Sequence, residues 1–191
     1  MSVVLIAGSP GSLSRTSALI DFINKELQEQ GIETDVFNVN EFDGNEVFFA
    51  DFNASQIVRY REAIAKADAV VLATPVYQAS FSGALKLLLD LIPERGLKGK
   101  VVLPLANGGS DSHLLVIDYA LKPVLSALGA SNVLGGVYVN AKQLTLDGEK
   151  HYQVGEEASA RISRSIEELI ETLPSQSSAS ASAYQRSVAY A

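Results

Sequence analysis

The side chains best suited to ligand chemistry fall into three short runs. The first, GSPGSLSRTS at residues 8–17, sets five hydroxyls (Ser9, Ser12, Ser14, Thr16, Ser17) around one guanidinium, Arg15. It follows an apolar stretch and opens a helical pattern, so free backbone N–H groups and the helix dipole add to these donors. A phosphomonoester needs many short donors around a compact head, which this run supplies. No Gly-Lys-Ser/Thr follows, which excludes a Walker A loop, and no Gly-x-Gly-x-x-Gly marks a dinucleotide pyrophosphate site. The plain alternative is an ordinary N-cap with polar neighbours.

The second run, TPVYQASFSG at residues 74–83, begins where Pro75 ends an apolar stretch and exposes Tyr77 and Phe81 before Ser82 and Gly83 start a helix. A flat heteroaromatic ring can pack there while backbone groups read its polar edge. The third, Asn107-Gly108-Gly109-Ser110, offers bare backbone that a ligand can approach closely. His113 follows it, equally suited to capping a helix and to touching a ligand. Together the three runs fit a flat ring with a phosphorylated tail, a mononucleotide such as FMN. Carrier and enzyme remain open at this point.

The elements that must position these runs alternate. Strands are expected at 3–7, 34–37, 69–73, 101–106 and 133–139, and helices at 16–30, 55–66, 82–91, 112–128 and 156–173. Strict β–α alternation predicts an α/β, doubly wound, five-stranded parallel sheet with strand order 2-1-3-4-5, and ligands at the carboxyl ends of strands 1, 3 and 4. Pro123 lies inside the fourth helix and cannot bond back to the carbonyl of Tyr119, so that helix should bend or widen. Residues 114–117 are apolar on all faces, which points to burial beyond one subunit. Residues 144–152 carry Asp147-Gly148, a hairpin-turn dipeptide. Residues 1–174 form one domain; from 175 a Ser/Ala-rich tail follows, in which Tyr184 and Tyr190 could dock on a neighbour.

The chain has 191 residues, enough for one large domain. It contains no cysteine, which removes disulfides and thiolate chemistry. A net charge of −7 gives nucleic-acid binding a low prior. No run approaches the ~20 apolar residues that span a bilayer, and the N-terminus reads as a core strand, so a cytoplasmic protein without membrane attachment is expected. His113 and His151 show no metal-site spacing, so no metal is expected. There is no Gly-x-Ser-x-Gly elbow. Such a site suits chemistry carried by a cofactor, with the protein orienting two rings.

GSPGSLSRTS, TPVYQASFSGALKLLLDLIPERGLKGKVVLPLANGG and HLLVIDYALKPVLSALGA together resemble the NADPH-dependent FMN reductases of alkanesulfonate utilisation, over residues 2 to about 140. The resemblance implies a flavodoxin-like fold and a homotetramer built from dimers. It also implies NADPH-driven reduction of FMN, with FMNH₂ passed to a flavin-dependent alkanesulfonate monooxygenase in sulfur metabolism. By the same resemblance Ser9, Ser14, Arg15, Thr16 and Ser17 would hold the phosphate. Pro75, Val76 and Tyr77 would line the isoalloxazine, and Gly108, Gly109 and Ser110 would close its other side. Tyr119 falls where the family carries a tyrosine in a π-helical turn at the tetramer interface. Two positions depart from the family: Gly11 stands where an arginine is common, and Asn107 where a threonine is usual. The competing readings are a quinone- or azo-type reductase with prosthetic FMN and a flavodoxin-like electron carrier.

Overall fold

A computed structural model describes residues 1–148 and 151–173. The expected tail, with Tyr184 and Tyr190, lies outside the described residues. In chain order the elements are β1 (Ser2–Ala7), α1 (Arg15–Glu29), β2 (Glu33–Asn38), α2 (Gly44–Phe48), α3 (Ser55–Lys66), β3 (Ala69–Tyr77), β4 (Ser80–Phe81), α4 (Gly83–Asp90) and β5 (Val101–Gly108). A π-helical turn (Ile117–Leu121), α5 (Lys122–Ala127), β6 (Asn132–Val133), β7 (Val137–Asn140), β8 (Leu144–Leu146), β9 (Tyr152–Val154) and α6 (Glu156–Thr172) follow.

The main sheet runs β2-β1-β3-β5-β6 with all these pairings parallel, and β7 continues β6 along the edge of β5. This is the flavodoxin-like order expected. Residues of β1, β3 and β5 are buried almost throughout because both faces are covered. On one face Leu19, Ile23 and Leu27 of α1 pack with Ile162, Ile166 and Leu169 of α6. On the other, Ile57 and Tyr60 of α3 pack with Leu85 and Leu88 of α4 and Leu125 of α5. Among the described residues no helix is long and apolar enough to cross a membrane.

Two differences from the expected elements have a covalent cause. The fifth strand is split into β6 and β7 opposite Pro104. Val102 O accepts from Leu134 N at 2.9 Å, so Val102 and, two residues on, Pro104 face the edge strand. Pro104 has no N–H to give there, and the edge strand detours through Gly136 at φ 82°. The expected helix at 112–128 is α-helical only over Lys122–Ala127. Pro123 sits in its first turn, preceded by the π-turn in which Lys122 N donates to Ile117 O, five residues back. The widening expected from Pro123 is therefore realised one turn upstream. The Asp147-Gly148 signal is realised as the antiparallel pair β8–β9.

Candidate functional site

The three runs meet at the carboxyl edge of the sheet, around a cavity of about 370 Å³. That lies at the small end of ligand pockets. Ser14 caps α1: in extended conformation (φ −134°, ψ 152°), its Oγ accepts from Ser17 N at 2.9 Å. The cap fixes the loop just before the helix and leaves Ser9, Ser14 and Arg15 along one wall. Thr16 is buried, and its hydroxyl donates to Oδ1 of Asn107 at 2.7 Å, joining the first run to the third. Ser9 Oγ accepts from Gly11 N at 3.3 Å, which tightens the loop.

The second run forms the opposite wall with Pro75, Val76 and Tyr77. β3 turns back into β4 through Gln78 and Ala79, with Tyr77 paired to Ser80. Both turn residues are left-handed, at φ 47° and 62°, as a type I′ hairpin requires. Ser82 then caps α4: its Oγ accepts from Leu85 N and donates to the carbonyl of Gly8, tying the second run to the first.

Gly108 and Gly109 complete the walls. A side chain at Gly108 would run into the Tyr138 hydroxyl and the Val76 Cβ, whereas one at Gly109 would meet open space. Tyr138 supports this strand end from beneath, donating to the carbonyl of Ser110 at 2.6 Å. Burial, reinforced by the Asp111 carboxylate, holds the Tyr138 phenol above its ordinary pKa.

Nine of the expected site residues line one cavity: Ser9, Ser14, Arg15, Thr16, Pro75, Val76, Tyr77, Gly108 and Gly109. Four do not. Ser17 faces a neighbouring groove between α1 and β9, because its amide and hydroxyl are engaged by the Ser14 cap. Ser110 is turned away, its side chain bonded to Ser112 and its carbonyl to Tyr138. His113 ends the 3₁₀ turn Asp111–His113, outside the cavity. Tyr119 sits in the π-turn, 79% exposed and away from the cavity.

Leu13, Ala141 and Tyr152 also line the cavity and were not singled out from the sequence. Tyr152 arrives on β9, 137 residues from Arg15, and packs its ring face against the guanidinium, 4.8 Å from Cζ to centroid. The hairpin dipeptide was legible; nothing local showed where the hairpin docks.

The residues fit a phosphorylated flat ring on two observations. Arg15 Nε is buried with no hydrogen-bond partner, a donor left for an anion among the first run's hydroxyls. At the third run, Gly109 faces open space, so a flat ring can approach its backbone closely. No carboxylate, histidine or lysine lines the cavity, so its walls bind and orient more than they exchange protons.

A family profile described as NADPH-dependent FMN reductase matches residues 1–145. The chain belongs to the NADPH-dependent FMN reductase family. FMN and NADPH are the flavin and reductant that membership implies, and the family's members are oxidoreductases. An FMN reductase (NADPH) of Pseudomonas putida is 44% identical over 168 residues, covering 87% of this chain and 85% of its relative. An FMN reductase (NADPH) of Escherichia coli K12 is 46% identical over 144 residues, covering 75% of each. Among solved structures, the apo form of the NADH:FMN oxidoreductase EMOB superposes with a TM-score of 0.83 at 30% identity, covering 93% of this chain and 92% of that one.

Proposed function

We propose that this chain reduces FMN to FMNH₂ with NADPH, treating the flavin as an exchangeable substrate. The observation that carries this is the cavity itself: an unpartnered buried Arg15 nitrogen among the first run's hydroxyls, and the open backbone of Gly109 on the third run. When bound, the flavin supplies the hydride-accepting ring. Ser9, Ser14 and Arg15 hold the phosphate, with Ser17 contributing through the helix cap. Thr16 keeps the first run in register with Asn107. Pro75, Val76 and Tyr77 bound the ring on one side, and Gly108 and Gly109 admit it on the other. Ser110 acts through its bond to Tyr138.

Two further readings rest on the sequence resemblance. FMNH₂ is handed to a flavin-dependent alkanesulfonate monooxygenase in the cytoplasm, serving sulfur acquisition. The working assembly is a homotetramer. What supports assembly is an exposed apolar cluster on and beside the π-turn: Leu114 at 54%, Leu115 at 54% and Tyr119 at 79%.

The deciding experiment compares NADPH oxidation with FMN, FAD and riboflavin, after gel filtration of the purified chain. An exchangeable substrate predicts a colourless protein that turns over with added FMN and discriminates against riboflavin. Retention of yellow flavin with turnover of quinones or azo dyes would establish prosthetic FMN instead. Failure to oxidise NADPH in the presence of FMN would leave an electron carrier.

A further inference from the structure

The match to the family profile stops at residue 145, yet a wall of the cavity comes from beyond it. That wall is Tyr152. The hairpin carrying it is held firmly: Asp147 Oδ1 accepts from His151 N at 2.8 Å, and Asp147 Oδ2 accepts from Gln153 Nε2 at 3.0 Å. Gly155 N donates to Gln143 O at 2.8 Å, closing the base of the hairpin. Residues alternate along β9, so Tyr152 and Val154 share a face, and both pack against the core that includes α1.

On that face the Tyr152 ring lies 4.8 Å from Arg15 Cζ, with Arg15 Nε buried and unpartnered. Among the described residues no carboxylate lies within ion-pair distance of Arg15. The guanidinium is therefore positioned without being neutralised. A free arginine side chain would have to give up its rotamer freedom each time it met an anion. A ring face removes that freedom beforehand while leaving the N–H edge unoccupied.

We propose that Tyr152 is a positioning residue for the phosphate subsite: its ring presents Arg15 to a phosphate monoester dianion. The β8–β9 hairpin thereby sets the preference for 5′-phosphorylated over unphosphorylated flavin. The inference rests on reading the first run as that subsite.

Equilibrium titration, followed by quenching of flavin fluorescence, tests both without relying on turnover. FMN and riboflavin are each titrated into the purified chain and into Arg15→Ala, Tyr152→Ala, Tyr152→Leu and Tyr152→Phe, with thermal melts as folding controls. Tyr152→Ala and Tyr152→Leu should each reduce the FMN-over-riboflavin preference roughly three- to thirtyfold, by weakening FMN alone. Tyr152→Phe keeps the ring face and should retain the preference. Tyr152→Ala in the Arg15→Ala background should cost nothing further. If Arg15→Ala removes the preference but the ring-deleting variants keep it, or weaken both flavins equally, Tyr152 has no such role. If Arg15→Ala itself leaves the preference intact, the phosphate lies elsewhere and both readings fall.

Discussion

The hydroxyl of Thr16 donates to Oδ1 of Asn107 across 2.7 Å in the buried interior of the site, linking the first turn of α1 to the end of β5. The two residues are 91 positions apart. The bond ties the first run and the third run of the cavity into a single unit. Thr16→Val should cost about 1–3 kcal/mol, because it leaves a buried amide oxygen without its donor. Thr16→Ser should restore most of it. Urea midpoints check the stability, and flavin affinity should fall in parallel.

Gly108 leaves no room for a side chain between the third run and its support. Gly108→Ala would press a methyl group against the Tyr138 hydroxyl and Val76. Relief requires the Tyr138 hydroxyl to shift from its bond to the Ser110 carbonyl or the strand end to give way, and overpacking of this kind costs about 1–3 kcal/mol. Gly109→Ala adds its methyl to open space and should be tolerated by the fold. Comparing the melting temperatures and FMN affinities of the two variants checks the assignment, with Gly108→Ala the more damaging in both.

The raised pKa of Tyr138 makes a signed prediction. A phenol whose folded pKa exceeds its unfolded value contributes stability that is complete below the ordinary value near 10 and is lost as pH rises through the raised one. Between pH 9 and 11 the unmodified chain should therefore lose stability more steeply than Tyr138→Phe. Urea unfolding across that range measures the difference in slope. The phenylalanine variant should already be weaker at pH 8, since the Ser110 carbonyl loses its 2.6 Å donor.

The β3–β4 hairpin holds two residues with side chains, Gln78 and Ala79, at positive φ. Each such residue is strained by about 1 kcal/mol or more, and Asn-Gly suits this turn better. Replacing Gln78-Ala79 with Asn-Gly should raise the melting temperature by several degrees. A gain in stability accompanied by weaker FMN binding would show that the turn's side chains serve the ring wall beside Tyr77.

Tyr119 is 79% exposed, so Tyr119→Ala should leave the stability of the individual subunit within about 0.5 kcal/mol. Its expected effect is on assembly. Analytical ultracentrifugation should show a smaller species than the unmodified chain forms. An unchanged sedimentation profile would remove Tyr119 from the interface.

The sequence by itself determined the alternation of elements, the sheet order and the three runs that line the cavity. Apolar runs flanked by glycine and hydroxyl residues can be satisfied in few ways once β–α–β crossovers are right-handed. It also determined that the helix around Pro123 would bend or widen, since a missing N–H is a covalent fact; the structure shows the widening. Pro104 carried the same covalent information about the fifth strand. Its consequence appeared only once Leu134 was seen bonding Val102, because a proline breaks a ladder only on the side its nitrogen faces.

Tertiary structure alone decided which hydroxyls reach the cavity. Ser14 and Ser17 stand three residues apart and look equivalent in sequence, but the helix cap engages Ser17 and leaves it lining the neighbouring groove. It also decided what holds Arg15. The cation and its ring are separated by 137 positions, and only packing of the β8–β9 hairpin onto α1 brings them within 4.8 Å. Local spacing records turns and faces; it does not record which distant face a hairpin will cover.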